Sequence, residues 1–244
     1  MLECSVVLYV IAIMGKSLKS ILKDEVLNIT ENPYGTDKGD RKSYIDLFYE
    51  YHFLPYRHKK ISLLEIGVRH GASLRLWASY FHDAELIMGI DDGSDISISQ
   101  EFPLQREWTE GVNICFKTGD AYGIAMSNKA GRKFDIIIDD GPHSLWSQKR
   151  FIKLYAPLLR EGGIMIIEDL LMGYITCTAL LCNTPLKYKA CIYDFRWHKP
   201  GRDNMIYALK HAQDKKFEFF RRILVCAKCL VMLPGEIVYS QFIL

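Results

Sequence analysis

Apolar and polar positions alternate along this chain in two periods. Short apolar runs bounded by glycine or acid lie at "ISLLEIGV" (61–68), "AELIMGIDD" (84–92), "VNICFKTGD" (112–120), "FDIIIDD" (134–140) and "GIMIIEDL" (163–170). Each reads as a buried strand. Stretches of helical period separate them, among them "GASLRLWASYF" and "LWSQKRFIKLYAPLL", the second stopping near Pro157 and Gly162-Gly163. Upstream, residues 16–31 predict a helix with Leu18, Ile21, Leu22 and Val26 on one face. "NPYGTDKGD" (32–40) breaks the chain, and Thr36 or Asp37 is placed to cap a second helix running through "YIDLFYEYHFL" to Pro55. Further strands are expected over "KACIYDFRW" and "RILVCAKCLVML".

Strands spaced by helices predict an α/β fold, a Rossmann-like doubly wound sheet, seven-stranded and mostly parallel, with helices on both faces. An N-terminal apolar leader and helix (1–31) would precede a main domain over 32–244. Ligands of such sheets bind outside the C-terminal ends of the strands. At that edge the sequence places Glu65, then Asp91 and Asp92, then Asp120, then Asp139 and Asp140, and finally Glu168 and Asp169. Acids beside apolar strands are costly to bury unless a positive partner sits with them. The edge therefore predicts a site with a cationic occupant.

The first strand-to-helix turn, "LLEIGVRHGASLRLW", carries Gly67 and Gly71. Glycine there lets the backbone approach a ligand, and the helix start offers free amides. The spacing is E-x-G-x-x-x-G, not the G-x-G-x-x-G of dinucleotide sites, and no Walker-type Gly-Lys-Ser/Thr follows. Asp91 ends the second strand about twenty residues on, where a carboxylate meets ribose hydroxyls. Asp120 ends the third, where it would face an adenine amino group.

Composition narrows the class. The 244 residues are 49% hydrophobic and 25% charged, with a net charge of +2, so nothing argues for a nucleic-acid partner. The seven cysteines form no regular framework, and the sequence favours reduced thiols in the cytoplasm. Cys226 and Cys229 have redox or zinc spacing, but no second pair matches them, and they read as structural. The apolar run at 4–14 falls short of the ~20 residues a spanning helix needs, so no stable membrane insertion is expected.

Several stretches together resemble class I S-adenosylmethionine-dependent methyltransferases, and more narrowly the metal-dependent sugar O-methyltransferases of macrolide and glycan decoration. They are "YGTDKG", "LLEIGVRHGASLRLW", "IIIDDGPH", "IIEDL" and "IYDFRWHKPGRDN", spanning roughly residues 33–205. The resemblance implies that Asp140, Glu168 and Asp169 hold Mg²⁺ and that His143 is the general base. It also implies that Glu65, Gly67, Gly71, Asp91 and Asp120 form the methyl-donor site, with Thr36, Lys38 and Ser73 reaching the donor's amino-acid end. Asp139 is left open between holding the turn and meeting the ligand. An all-oxygen donor set suits a hard cation such as Mg²⁺ better than zinc. The expected acceptor is a sugar or glycan hydroxyl, a deoxyhexose such as rhamnose, with oligomer contacts completing the pocket. A catechol-type acceptor, a non-catalytic donor-binding scaffold and a hydroxylase-associated protein are the other readings.

Overall fold

A computed structural model describes residues 15–94, 112–199 and 203–212. Among the described residues six α-helices surround one seven-stranded sheet. Helix α1 (Leu18–Asp24) leads to a π turn (Ile45–Tyr49) that continues into α2 (Glu50–Phe53) and a 3₁₀ turn (Leu54–Tyr56). Then follow β1 (Ser62–Ile66), α3 (Ala72–Tyr80), β2 (Leu86–Asp91), β3 (Ile114–Thr118), α4 (Ile124–Ala130), β4 (Phe134–Asp139) and α5 (Leu145–Tyr155). The described residues continue with β5 (Leu159–Ile167), α6 (Tyr174–Asn183), β6 (Tyr188–Asp194) and β7 (Met205–His211). The strand order is β3-β2-β1-β4-β5-β7-β6. Strands β1 to β5 pair in parallel, while β7 runs antiparallel to both β5 and β6.

Alternate strand residues supply two cores, because successive side chains point to opposite faces. Leu63, Ile87, Ile136, Ile138, Ile164 and Ile166 pack under the N-terminal helices and α3, where Trp77, Tyr49 and Phe53 are fully buried. Leu64, Ile66, Ile137, Met165 and Ile167 pack under α5 and α6 through Phe151, Ile152, Cys177 and Leu180. Burial on both faces is why these strands read as continuous apolar runs.

Two expectations change. The first helix is shorter than 16–31, because Val26 turns into the left-handed region (φ 53°) and Leu27 folds back to donate to Leu22 O. The seventh strand is Met205–His211, a stretch for which the sequence pattern predicts no strand. The segment expected to supply a late strand, 222–233, lies outside the described residues, as do Cys226, Cys229 and the apolar run at 4–14. Among the described residues no helix is long and apolar enough to cross a membrane.

Candidate active site

The glycine loop is built by a close approach of two strand ends. Asp140 N donates to Ile66 O (2.8 Å), which presses the end of β4 against the turn after β1. Gly67 takes a positive φ of 82°, and a Cβ there would collide with the carbonyl oxygen of Asp140. Gly71, also left-handed, starts α3. Asp91 organises this loop. Its Oδ2 accepts from Val68 N (2.8 Å) and Arg69 N (2.9 Å), and its Oδ1 from Gly93 N (2.9 Å). Asp120 Oδ1 accepts from Tyr122 N (2.9 Å), closing a turn on its own backbone.

Glu65 and Ser73 lie beneath the loop. Ser73 Oγ and Trp77 Nε1 donate to Glu65 Oε2 at 2.8 and 3.1 Å, while Glu65 Oε1 has no hydrogen-bond partner. Burial pushes the Glu65 carboxyl up to about 7, with Lys38 pulling the other way. Thr36 is buried and fixed by its backbone, its N donating to Leu27 O and its O accepting from Ile29 N.

Beyond β4 and β5 the acids gather. The two strands are parallel neighbours, with Asp139 opposite Ile167, and Glu168 N donates to Asp139 O (3.0 Å). Asp139 is buried, and its Oδ1 accepts from Tyr122 OH (2.6 Å) while its Oδ2 has no partner. Burial pushes its carboxyl up to about 6. Asp140 sits at the mouth, its side chain 22% exposed, with Oδ2 bound to Lys38 Nζ at 2.5 Å. Lys38, fully buried, also reaches Glu168 Oε2 at 2.8 Å and lies 3.7 Å from Glu65 Oε1. The other Glu168 oxygen accepts from Tyr49 OH. Asp169 Oδ1 accepts from Tyr44 OH (2.5 Å) and meets Lys42 Nζ at 3.1 Å, and Lys42 also pairs with Asp203 at 2.9 Å.

His143 completes the cluster. Its Nε2 stands 3.9 Å from Asp140 Oδ1 and 3.7 Å from Asp169 Oδ2. One ligand atom from each of Asp140, His143 and Asp169 lies within 4.8 Å of the other two, so the three could hold one metal ion. Glu168, expected in the ligand set, has both oxygens engaged by Lys38 and Tyr49. His143 and Asp169 both adopt left-handed backbone, with φ of 57° and 56°. Non-glycine residues there are uncommon and cluster at functional sites.

The charges do not balance locally. Glu65, Asp140, Glu168, Asp169 and Asp203 gather round only two ammonium groups, Lys38 and Lys42. Burial opposes charge on Lys38, but Asp140, Glu168 and Glu65 outweigh it and hold its pKa above the ordinary value. For Asp169, burial and then Asp140 raise the carboxyl against Lys42 and His143.

Sequence reasoning placed Lys38 at the donor's amino-acid end, whereas the structure turns it onto the acids. Lys42, Tyr44, Tyr49, Tyr122 and Asp203 were not anticipated. Their partners lie far away in the chain, and only the crowding of Lys38, Lys42, Tyr44 and Tyr49 in one segment hinted at a shared target. That segment is clamped from downstream. Lys199 Nζ donates to the carbonyls of Gly39, Asp40 and Lys42 (2.7–2.8 Å), and His198 Nδ1 meets Ser43 Oγ at 2.8 Å. Arg196, on the same late segment, pairs with Asp194 at 2.6 Å.

Residues 64–170, which hold the glycine loop and every acid from Glu65 to Asp169, match a protein family described as a methyltransferase domain. Over that stretch the chain is similar to a methyltransferase domain. It is 29% identical over 150 residues to the 8-demethyl-8-(2-methoxy-alpha-L-rhamnosyl)-tetracenomycin-C 3'-O-methyltransferase of Streptomyces olivaceus, covering 58% of this chain and 36% of that one. It is 32% identical over 158 residues to the demethylmacrocin O-methyltransferase of Streptomyces fradiae, covering 61% and 37%. The matches span little more than a third of these relatives' length. The chain also shares its fold with the MycE methyltransferase from the mycinamycin biosynthetic pathway, solved in complex with Mg, SAH and mycinamycin VI. That likeness has a TM-score of 0.53 at 23% identity and covers 76% of this chain and 53% of the other.

Proposed function

We propose that this protein transfers a methyl group from S-adenosylmethionine to a sugar hydroxyl, with Mg²⁺ in the cleft beyond β4 and β5. The observation that carries the reading is the meeting of the Asp140 and Asp169 carboxylates beside His143: the two acids would hold the ion and leave the ring nitrogen free for a proton. The two curated relatives above, both O-methyltransferases and one with a rhamnosyl substrate in its name, support the acceptor class.

The donor set fits a hard divalent ion. Asp140 Oδ1 and Asp169 Oδ2 are carboxylate oxygens, and the surplus of buried acid over lysine calls for added positive charge. The fit to the methyl donor rests on the glycine loop and on Asp139, whose buried Oδ2 is an acceptor awaiting a donor. Gly67 and Gly71 open the backbone to the donor's amino-acid end, and Asp91 and Asp120 stand at the strand ends for ribose and adenine. Glu65 and Ser73 support that loop from below, and Thr36 with Lys38 lines the acid side. When bound, the ion would supply Lewis-acid polarisation of the acceptor hydroxyl.

The chain's own residues do the rest. His143, its ring 26% exposed at the mouth, accepts the hydroxyl proton at Nε2. Asp140 and Asp169 flank that nitrogen and stabilise the imidazolium that results. Tyr44 and Lys42 hold Asp169 in place, and Gln148 Nε2 donates to Glu168 O at 3.2 Å, fixing the backbone that presents both acids. Catalysis is then chiefly alignment of hydroxyl and methyl group. Exposed Leu171, Met172 and Ile175 follow directly on the acids and suit the apolar part of a glycosylated acceptor.

The test is methyl transfer from labelled S-adenosylmethionine to a panel of rhamnosides, other deoxyhexosides and a catechol, with and without EDTA. Labelling of a sugar that EDTA abolishes and Mg²⁺ restores is expected. Labelling that EDTA leaves unchanged would sink the ion, and labelling of the catechol alone would sink the sugar.

A further inference from the structure

Lys38 stands where a cation is wanted. Its ammonium joins Asp140, after β4, to Glu168, after β5, at 2.5 and 2.8 Å. A third carboxylate oxygen, Glu65 Oε1, lies 3.7 Å away, buried and without any hydrogen-bond partner. A buried, unpartnered carboxylate oxygen is costly, and an ammonium has three protons to give. A movement of about one ångström towards Glu65 would satisfy that oxygen at ordinary hydrogen-bond length. A movement of that size lengthens the contacts to Glu168 Oε2 and Asp140 Oδ2 by at most about one ångström, so full release of the pair needs the lysine side chain to swing further towards Glu65.

We propose that Lys38 is a resident cation that exchanges with the divalent ion, moving from the Asp140–Glu168 pair to Glu65 when the ion binds. This inference rests on the reading of the cleft as a divalent-ion site. Two positive charges cannot share one carboxylate pair at contact distance without strong repulsion in a buried setting. Without an ion, Lys38 holds the ends of β4 and β5 together and neutralises part of the acid surplus. With the ion in place, the ammonium seats under the glycine loop, where Ser73 and Trp77 already fix the other oxygen of Glu65. Glu168 then becomes free to join Asp140 and Asp169. The exchange thus links occupancy of the ion site to the floor of the donor loop, and Lys38 is a positioning residue that need not touch the acceptor.

The experiment is calorimetric titration of the full chain with MnCl₂, without donor or acceptor, for the wild type and for Lys38→Met, Glu65→Gln, their double variant and Asp140→Asn. Removing the internal competitor should tighten Mn²⁺ binding in Lys38→Met by at least about tenfold. Glu65→Gln should weaken binding while Lys38 is present, and should do little in the Lys38→Met background. A merely structural lysine would give the opposite sign, since its loss loosens the site. Equal or weaker binding by a Lys38→Met protein with unchanged circular dichroism overturns the exchange. Should Lys38→Met fail to fold, the wild type decides through the protected lysine ammonium signal in ¹H–¹⁵N spectra. That signal should shift as Mg²⁺ is added, and no shift at saturation overturns the proposal. Mn²⁺ binding lost in Asp140→Asn but unaltered in Lys38→Met refutes the exchange alone. No binding by the wild type refutes the ion site and the exchange with it.

Discussion

A methyl group on Gly67 would run into the carbonyl oxygen of Asp140, and the positive φ of that residue adds strain to any side chain. Gly67→Ala should therefore cost about 2 kcal/mol or more, read from urea unfolding, because neither the turn nor the end of β4 can yield alone. His143 presents the opposite case, a side chain wanted despite its left-handed backbone. Asparagine tolerates that conformation, so His143→Asn should keep its melting temperature while kcat falls by about 10²–10⁴-fold. An unchanged kcat would remove His143 from proton transfer. At this scale the acids and the histidine were legible, since each follows an apolar run that announces a strand end. Their pairing was not. Lys38 lies 102 residues before Asp140 and 130 before Glu168, and no local pattern records such a contact.

The segment 36–43 is a loop made stiff by its neighbours. Lys199 satisfies three of its carbonyls, and Lys38 and Lys42 reach the acids from it. Lys199→Met should leave those carbonyls to water. Faster hydrogen exchange of the amides at 39–43 is expected, with protection in β1 and β4 unchanged. The helical stretch after this loop was legible from its apolar face. The stop of α1 was not, because it depends on Leu27 folding into the core rather than on a breaker residue. His52 illustrates what packing adds. Burial and then the nearby charge of Lys210 lower its pKa from 6.5 to about 4. The folded chain thus binds fewer protons there than the unfolded chain between those values. Its contribution to stability is complete above pH 6.5 and is lost as the pH falls towards 4. His52→Phe, which keeps the ring contacts with Phe48 and Tyr193, should melt with a shallower acid slope than the wild type over that window.

Across the whole molecule, five parallel strands were readable because burial on both faces leaves an unmistakable apolar signature. The order of the remaining strands was not, since Met205–His211 gives no sign that it enters beside β5 rather than at the edge. Ion binding should be visible at this scale. A ligand at one hundred times its Kd adds about 2.7 kcal/mol to the folded state, so saturating Mg²⁺ should raise the melting temperature of the wild type and not of Asp140→Asn.

The position of β7 also bears on how the chain comes off the ribosome. Among the described residues β6 pairs only with β7, and β7 alone joins it to β5. During synthesis β6 therefore emerges before the strand that anchors it, and waits unpaired beside an open edge at β5. The same late segment brings Asp203 to Lys42 and Met205 O to Tyr44. A nascent chain stalled near residue 200 would hold the glycine loop and all the proposed ion ligands, yet lack the last strand and the groups that steady Asp169 from beyond it. Assembly of the cleft thus waits on residues 203–211.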